Sequence, residues 1–247
     1  MRLALLADLH ANREATTACL ARLRKLGFDR LAILGDLVGY GANPGWVIDT
    51  VKRMVDDGAF VVQGNHDEAV VKGASEQMHE QARAAIDWTR RQLDTAQLAF
   101  LAALPLTVED DDRLYVHANA WSPAEWGYIG TQAAAARSLA ATPALMTFCG
   151  HVHEPALYHS RPDGSAGYFL PRGGYPTPLA GSRRWLALPG SAGQPRDGNP
   201  AACCALLDTD QATLTFLRVP YDHDASAARI RAAGLPDSFA TRLLKGS

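Results

Sequence analysis

The apolar run over residues 3–7 stops abruptly at Asp8 and predicts a buried first strand. Asn12 then offers a helix cap, and Ala15, Cys19, Leu23 and Leu26 follow at helical spacing. A second apolar run, 31–34, ends at Gly35-Asp36. Asn43-Pro44 reads as a cap with proline in the first turn, and Val47, Val51 and Val55 stripe the helix behind it. The third apolar run, 59–62, ends at Gly64-Asn65-His66-Asp67. Strand, helix, strand, helix, strand is the pattern of a mostly parallel sheet with covering helices.

Residues 78–104 are helical in composition and predict two helices. The turn Asp110-Asp111-Asp112 lies between the apolar runs 106–108 and 114–116, which predicts a hairpin. An alanine-rich helix over 131–141, stopped by Pro143, leads to a buried strand over 145–149 that ends at Gly150-His151-Val152-His153. From 155 to 219 the apolar runs are short and Gly and Pro are frequent, which predicts a second, more antiparallel sheet. Residues 171–183, with Pro171, Gly173, Gly174, Pro176, Pro178 and Gly181, form a loop-like stretch that either covers a site or joins strands. Residues 222–245 predict a helical extension, broken near Gly234-Leu235-Pro236. With no internal repeat and no low-complexity linker, 1–247 is expected to be one domain.

Composition narrows the function without naming it. Hydrophobic residues make up 47% and charged residues 20% of the chain, as in ordinary globular proteins. Lys and Arg number 24 against 26 Asp and Glu, a net charge of −2, so no bulk attraction to nucleic acid or to a membrane is expected. Cys19, Cys149, Cys203 and Cys204 show no metal-finger spacing, and the adjacent pair is poorly placed for an ordinary disulfide. A reducing cytoplasm is the expected location. The apolar opening is too short for a signal peptide or a membrane span.

The chemistry-bearing residues follow the predicted strands. Asp8 and His10 follow the first, Asp36 the second, Asn65 and His66 the third; His117 ends the run 114–116, and His151 and His153 follow 145–149. Loops at the carboxyl ends of strands in α/β sheets converge on one crevice, so these residues are expected to meet. Carboxylates, imidazoles and one amide oxygen make a mixed N/O donor set without thiolate, suited to two divalent ions. Asp8 and His10, two apart in an extended exit from a strand, are expected to project to the same side, and likewise His151 and His153. Asp36 is the natural bridging carboxylate, and two ions together clamp an in-line displacement at phosphorus.

Asp8-Leu-His10, Gly35-Asp36, Gly64-Asn65-His66-Asp67, His117 and Gly150-His151-Val152-His153 together resemble the calcineurin-like metallophosphoesterase superfamily. The resemblance spans roughly residues 1 to 220. Gly35-Asp36-Leu-Val-Gly39-Tyr40-Gly41 and Pro189-Gly190-Ser191-Ala192-Gly193-Gln194-Pro195-Arg196 align it with the small bacterial and archaeal phosphoesterases of that group. It implies an α/β fold, a two-sheet β-sandwich flanked by helices with the dimetal site at its loop edge. It also implies a hydrolase, a phosphatase or phosphodiesterase, acting on phosphomono- or phosphodiesters of small molecules by attack of a hydroxide bridging two metals. Asp8, His10, Asp36 and His153 would hold one ion; Asp36, Asn65, His117 and His151 would hold the other; manganese, Fe, Zn, Ni and Co all suit these ligands. His66 would be the general acid or an electrostatic partner of the phosphate.

Gly39-Tyr40 stands where the superfamily's Ser/Thr protein phosphatases carry Asp-Arg, which argues against that activity. Arg196 divides evenly between contact with substrate phosphate and a structural bridge to loop carbonyls. Asp67 divides evenly between support of the metal ligands and a helix N-terminal carboxylate. Tyr40 reads as a packing residue, Asn12 as a cap, Cys149 as a small buried residue, and Asn119 and Tyr128 as residues of the loop after His117, with contact to substrate the lesser reading. Of the eight histidines, His79, His159 and His223 fall outside the constellation and read as surface or packing residues. Two alternatives accompany the enzyme: a non-catalytic metal-binding scaffold, as in a trafficking-complex subunit of the same fold, and a nuclease of the same superfamily. His66 and the complete ligand set favour the enzyme, and the near-neutral charge disfavours the nuclease. A small-molecule phosphoester is the expected partner, with neither nucleic acid nor membrane; the sequence does not speak to oligomeric state.

Overall fold

The computed structural model describes residues 1–75 and 78–247. Two six-stranded sheets pack face to face. The first is ordered β3-β2-β1-β11-β12-β9, from β1 (Arg2–Leu6), β2 (Arg30–Ile33), β3 (Phe60–Val61), β9 (Pro176–Pro178), β11 (Ala202–Asp208) and β12 (Thr213–Val219). The second is ordered β4-β5-β6-β10-β7-β8, from β4 (Thr107–Asp110), β5 (Arg113–Val116), β6 (Met146–Phe148), β7 (Pro155–Ser160), β8 (Ala166–Phe169) and β10 (Trp185–Pro189). Both sheets are mixed: β1, β2 and β3 are parallel, as are β5, β6 and β10, while β11 and β7 join antiparallel.

Helices cover the outer faces. The first sheet carries α1 (Arg13–Leu26), α2 (Pro44–Asp56), α3 (Asn65–Lys72), α4 (Glu80–Gln92) and α5 (Thr95–Ala103) on its side, and the second carries α6 (Gln132–Ala140). The chain ends in α7 (His223–Ala232) and α8 (Asp237–Lys245), which pack on each other and on Ala85, Trp88, Tyr40 and Ala42. Among the described residues no helix is long and apolar enough to cross a membrane.

Strand β1 explains why its sequence is a solid apolar run and not an alternation. Leu3, Leu5 and Ala7 face the space between the sheets, with Tyr115, Phe148, Leu157 and Ala187, while Ala4 and Leu6 face the helices with Cys19, Leu23 and Val51. A strand covered on both faces has no solvent side to mark with polar residues. Each fully buried leucine there contributes roughly 1.5–3 kcal/mol over its exposed state.

One expectation changes, and one open alternative is resolved. Residues 155–219 do not form a sheet of their own: β7, β8 and β10 extend the second sheet, whereas β9, β11 and β12 complete the first. Composition marks that stretch as antiparallel but carries no information on which sheet each strand joins. Within residues 171–183, β9 pairs with the Thr213–Thr215 end of β12, the end aligned through Asp208 with Arg2. It therefore lies at the end of the sheet opposite Asp8, where it joins strands and does not cover the crevice. All four cysteines are buried and free.

Candidate metal centre

The loops leaving β1, β2, β3, β5 and β6 meet at one edge of the sandwich. Backbone bonds zip the first two together: Asp8 N–H donates to Gly35 O at 3.1 Å, His10 N–H to Asp36 O at 2.9 Å and Ala11 N–H to Leu37 O at 2.9 Å. Glycine is demanded where loops touch. A Cβ on Gly64 would lie 2.2 Å from the Asp36 backbone nitrogen, and one on Gly39, whose φ is +89°, would lie 2.4 Å from His66 Nδ1.

The expected extended exits do not occur. Asp8, His10, Asp36, His151 and His153 have φ of +55°, +45°, +51°, +68° and +69°, the left-handed region that non-glycine residues avoid. A left-handed residue turns the chain back on itself, so residues two apart reach a common point by curling inward and not by strand alternation. Each such conformation costs on the order of 1–3 kcal/mol and persists where surrounding bonds over-determine it. Here they do. Asp8 O accepts from Gly193 N–H at 2.9 Å and from Ser191 Oγ at 2.8 Å, and the Asp8 carboxylate accepts from His151 N–H at 3.0 Å. The Pro-Gly-Ser block thus forms the wall behind Asp8.

The structure gathers the predicted residues into two adjoining clusters. Donor atoms of Asp8, His10, Asp36 and His153 lie within 4.8 Å of one another, and so do those of Asp36, His117 and His151. Asn65 Oδ1 lies 3.1 Å from His117 Nε2, beside the second cluster. Asp36 belongs to both: its Oδ2 is 3.6 Å from His10 Nε2 and 3.5 Å from His117 Nε2. Its Oδ1 accepts from His66 N–H at 2.9 Å, which fixes the carboxylate.

Backbone carbonyls set the tautomer of every histidine in the clusters. His10 Nδ1 faces Val38 O at 3.1 Å, His117 Nδ1 faces Leu34 O at 2.6 Å, His153 Nδ1 faces Gln194 O at 2.7 Å, and His151 Nε2 faces Trp126 O at 2.8 Å. A carbonyl only accepts, so each of these nitrogens carries the proton and the other is left with a lone pair. Those lone pairs meet: His10 Nε2 is 3.1 Å from His153 Nε2, and His117 Nε2 is 3.1 Å from His151 Nδ1. Two neutral rings so oriented need a cation between or beside them, a metal ion or, failing that, a proton. An N–H given to a carbonyl is also the usual way a metal-binding imidazole is oriented. The donor set therefore fits divalent ions.

Electrostatics agree. Burial holds His10, His151 and His153 below the ordinary histidine range, as neutral imidazoles. Burial pushes His117 the same way, but the Asp36 charge and hydrogen bond outweigh it and carry the ring up to about 9, a proton taking the place of a cation. Burial likewise pushes Asp36 up, yet the charges of His117 and His66 hold it well below the carboxylate range. Asp8, mainly through burial, rises to about 7. Two buried carboxylates facing three neutral imidazoles, with His117 alone held charged, form a site short of positive charge.

His66 is buried beside the clusters and belongs to neither; its Nδ1 has no partner among the described residues. Its ring sits 4.4 Å from Tyr40 and 5.0 Å from His10. Tyr40, itself at φ +60°, packs on Phe239 of α8 at 5.0 Å, so the C-terminal helices support the His66 side of the site. Arg196 lies over Tyr40 at 5.7 Å, with Nη2 on Gln194 Oε1 at 3.0 Å and its buried Nε without a hydrogen-bond partner among the described residues. Asn12 caps α1 and also ties Gly193 O, at 2.8 Å, to Ser226 of α7, at 2.9 Å. Asn119 spans its own loop, donating to Gly127 O at 2.9 Å and accepting from Ser122 N–H at 2.9 Å. Away from the site, His79 caps α4, His159 packs on Trp185 and His223 stays half exposed.

The Asp67 carboxylate accepts N–H bonds from Leu37 at 2.9 Å, Val38 at 3.3 Å and Gly64 at 3.0 Å, and among the described residues it has no bond to the His66 ring. It ties the loop after β2 to the start of α3. Asp67→Ala leaves three buried donors unpaired and is expected to lower stability by on the order of 3 kcal/mol. Urea unfolding of metal-stripped protein reads this without metal linkage. A loss under about 0.5 kcal/mol, typical of an exposed position, would remove the anchoring role.

Sequence reasoning did not find Trp126, whose carbonyl orients His151 and whose indole Nε1 donates to Glu68 Oε2 at 2.9 Å. The only sequence signal was an aromatic pair, Trp126 and Tyr128, in the loop after His117.

Two packed mixed sheets with adjoining carboxylate–imidazole clusters at their loop edge define a metallophosphoesterase fold. The chain belongs to the calcineurin-like phosphoesterase superfamily, whose domain model matches residues 1–212. It is similar to a metallophosphoesterase from Sphaerobacter thermophilus, with 35% identity, 100% of this chain and 99% of that chain covered, and a TM-score of 0.88. An uncharacterized protein of Methanocaldococcus jannaschii is 30% identical over 249 residues, covering 99% of this chain and 98% of that protein. A hypothetical protein of Pyrococcus horikoshii shares the fold at 19% identity, with a TM-score of 0.80 and coverage of 100% and 98%. Members of the superfamily are phosphoesterases, and the family implies divalent metals at the clusters.

Proposed function

We propose that this protein is a dinuclear metal-dependent phosphoesterase that hydrolyses phosphomono- or phosphodiesters of small molecules. The ring nitrogens of His10 with His153 and of His117 with His151, facing each other on either side of Asp36 Oδ2 with their far nitrogens tied to carbonyls, carry the reading. Asp8, His10, Asp36 and His153 would hold one ion, and Asp36, Asn65, His117 and His151 the other. When bound, such ions supply Lewis-acid polarisation and charge neutralisation at the phosphoryl group and lower the pKa of water.

The chain's own residues do the rest. Arg196 offers a guanidinium whose fork matches phosphate oxygens, and its buried Nε, without a hydrogen-bond partner among the described residues, makes an anion a suitable partner. His66 presents beside the clusters an Nδ1 without a partner among the described residues, placed to hold a proton for the departing oxygen. Strained, over-determined loops keep these groups fixed, so little reorganisation accompanies reaction.

Hydrolysis of p-nitrophenyl phosphate and bis(p-nitrophenyl) phosphate by metal-stripped protein, before and after adding Mn²⁺, tests the reading. Activity is expected only with metal, and the ratio of rates tells monoesterase from diesterase. A folded, metal-loaded protein inert on every phosphoester tried would instead fit the metal-binding scaffold.

A further inference from the structure

A groove of about 570 Å³ opens from the second cluster, with Asn65 and His151 lining its inner end. Its walls are Glu68, Ala69 and Lys72 of α3 on one side and Trp126 and Tyr128 on the other. Sites that enclose ligand-sized groups span roughly 300–1,000 Å³, so the groove has room for a substituent much larger than phosphate.

Tyr128 is 59% exposed, yet its ring is not free to wander. It stacks on His151 with centroids 4.0 Å apart and planes at 16°. His151 is oriented in turn by Trp126 O, the Trp126 indole by Glu68, and Glu68 by Lys72 at 2.5 Å. Asn119 closes the loop beneath them. One face of Tyr128 therefore rests on a fixed imidazole while the rest of the ring lines the groove. An exposed aromatic ring held this way is a ready stacking platform, because its ordering entropy is already lost before a ligand arrives.

Building on the phosphoesterase reading, we propose that Tyr128 is a specificity-determining residue. It selects phosphoesters that carry a flat aromatic group, a nucleobase or an aryl ring, stacked in the groove beside the second cluster. Stacking of a base on a protein aromatic is worth roughly 1–3 kcal/mol, or about 5- to 150-fold in binding.

The test compares adenosine 5′-monophosphate with ribose 5-phosphate, and the methyl ester of each phosphate, on metal-loaded protein. Within each pair the scissile P–O bond is of the same kind and the two compounds differ at C1′, a base in one and a hydroxyl in the other. Both kcat/KM and calorimetric binding of the two monophosphates are measured. The base is expected to raise both at least about fivefold in the wild type. Tyr128→Phe should keep that preference, and Tyr128→Ala should bring it within about twofold of unity. Turnover of both members of a pair without a base preference would overturn the proposal, as would a preference that survives Tyr128→Ala. If no ester of any kind is hydrolysed, the phosphoesterase reading fails. Binding then still decides the platform: a base preference lost in Tyr128→Ala supports it, and equal binding of the two monophosphates overturns it.

Discussion

Asp36→Asn is expected to strip the site of tightly held metal at both clusters and to abolish turnover with it. Among the described residues Asp36 is the one whose carboxylate serves both groups of donors, with Oδ2 3.6 Å from His10 Nε2 and 3.5 Å from His117 Nε2. Replacing an outer partner of a metal ligand already costs about 10–100-fold in affinity. Removing the charge of a shared ligand should cost more than about 100-fold at each position by the same scale. The amide is nearly isosteric and keeps the Oδ1 acceptor for His66 N–H, at 2.9 Å in the wild type, so the loop is expected to stay folded. Elemental analysis after dialysis, with thermal unfolding as the fold control, reads the outcome. Two ions retained at normal affinity would end the bridging assignment.

Asp8, raised to about 7 mainly by burial, and the His10–His153 lone-pair contact at 3.1 Å are costs carried by the metal-free fold. Metal bound only to the folded state stabilises it by mass action, about 4 kcal/mol at a free concentration 1,000 times Kd. Asp36→Asn should lose most of that metal-dependent rise in thermal midpoint, whereas Asp67→Ala should lower the midpoint with and without metal.

The donors were legible in the sequence because each directly follows an apolar run, and a run buried on both faces has a sharp end. What the sequence could not show is how they are aimed. Left-handed backbone at Asp8, His10, Asp36, His151 and His153 leaves no mark at non-glycine positions, so an extended exit was the natural expectation. The groups that fix the imidazole tautomers are the carbonyls of Leu34, Val38, Trp126 and Gln194, and a carbonyl is the same on any residue. The fold was legible to the same depth. Parallel β1–β2–β3 follows from alternating strands and helices, but the division of residues 155–219 between two sheets depends on long-range pairing, such as β1 with β11, which local composition does not encode.

His66→Ala is expected to leave metal content unchanged and to reduce turnover of alkyl phosphoesters by about 100- to 10,000-fold, the usual range for loss of a positioned proton donor. The side chain belongs to neither cluster, so its removal takes away no ligand. Its Nδ1 is buried without a partner among the described residues, and Gly39 leaves the space in front of it open, since a Cβ there would stand 2.4 Å away. Burial lowers the His66 pKa from its ordinary value, against the opposing pull of Asp36. An anionic phosphoester bound alongside favours the charged ring and raises it again, which suits proton donation near neutral pH. An ester of p-nitrophenol needs no proton as it leaves, so the loss on that substrate should be far smaller. Comparing kcat for alkyl and p-nitrophenyl esters in the same variant separates the possible roles. A large loss confined to the alkyl ester identifies the general acid. An equal large loss on both identifies electrostatic support of the phosphate, and full activity on the alkyl ester would mean that His66 takes no part in the chemistry.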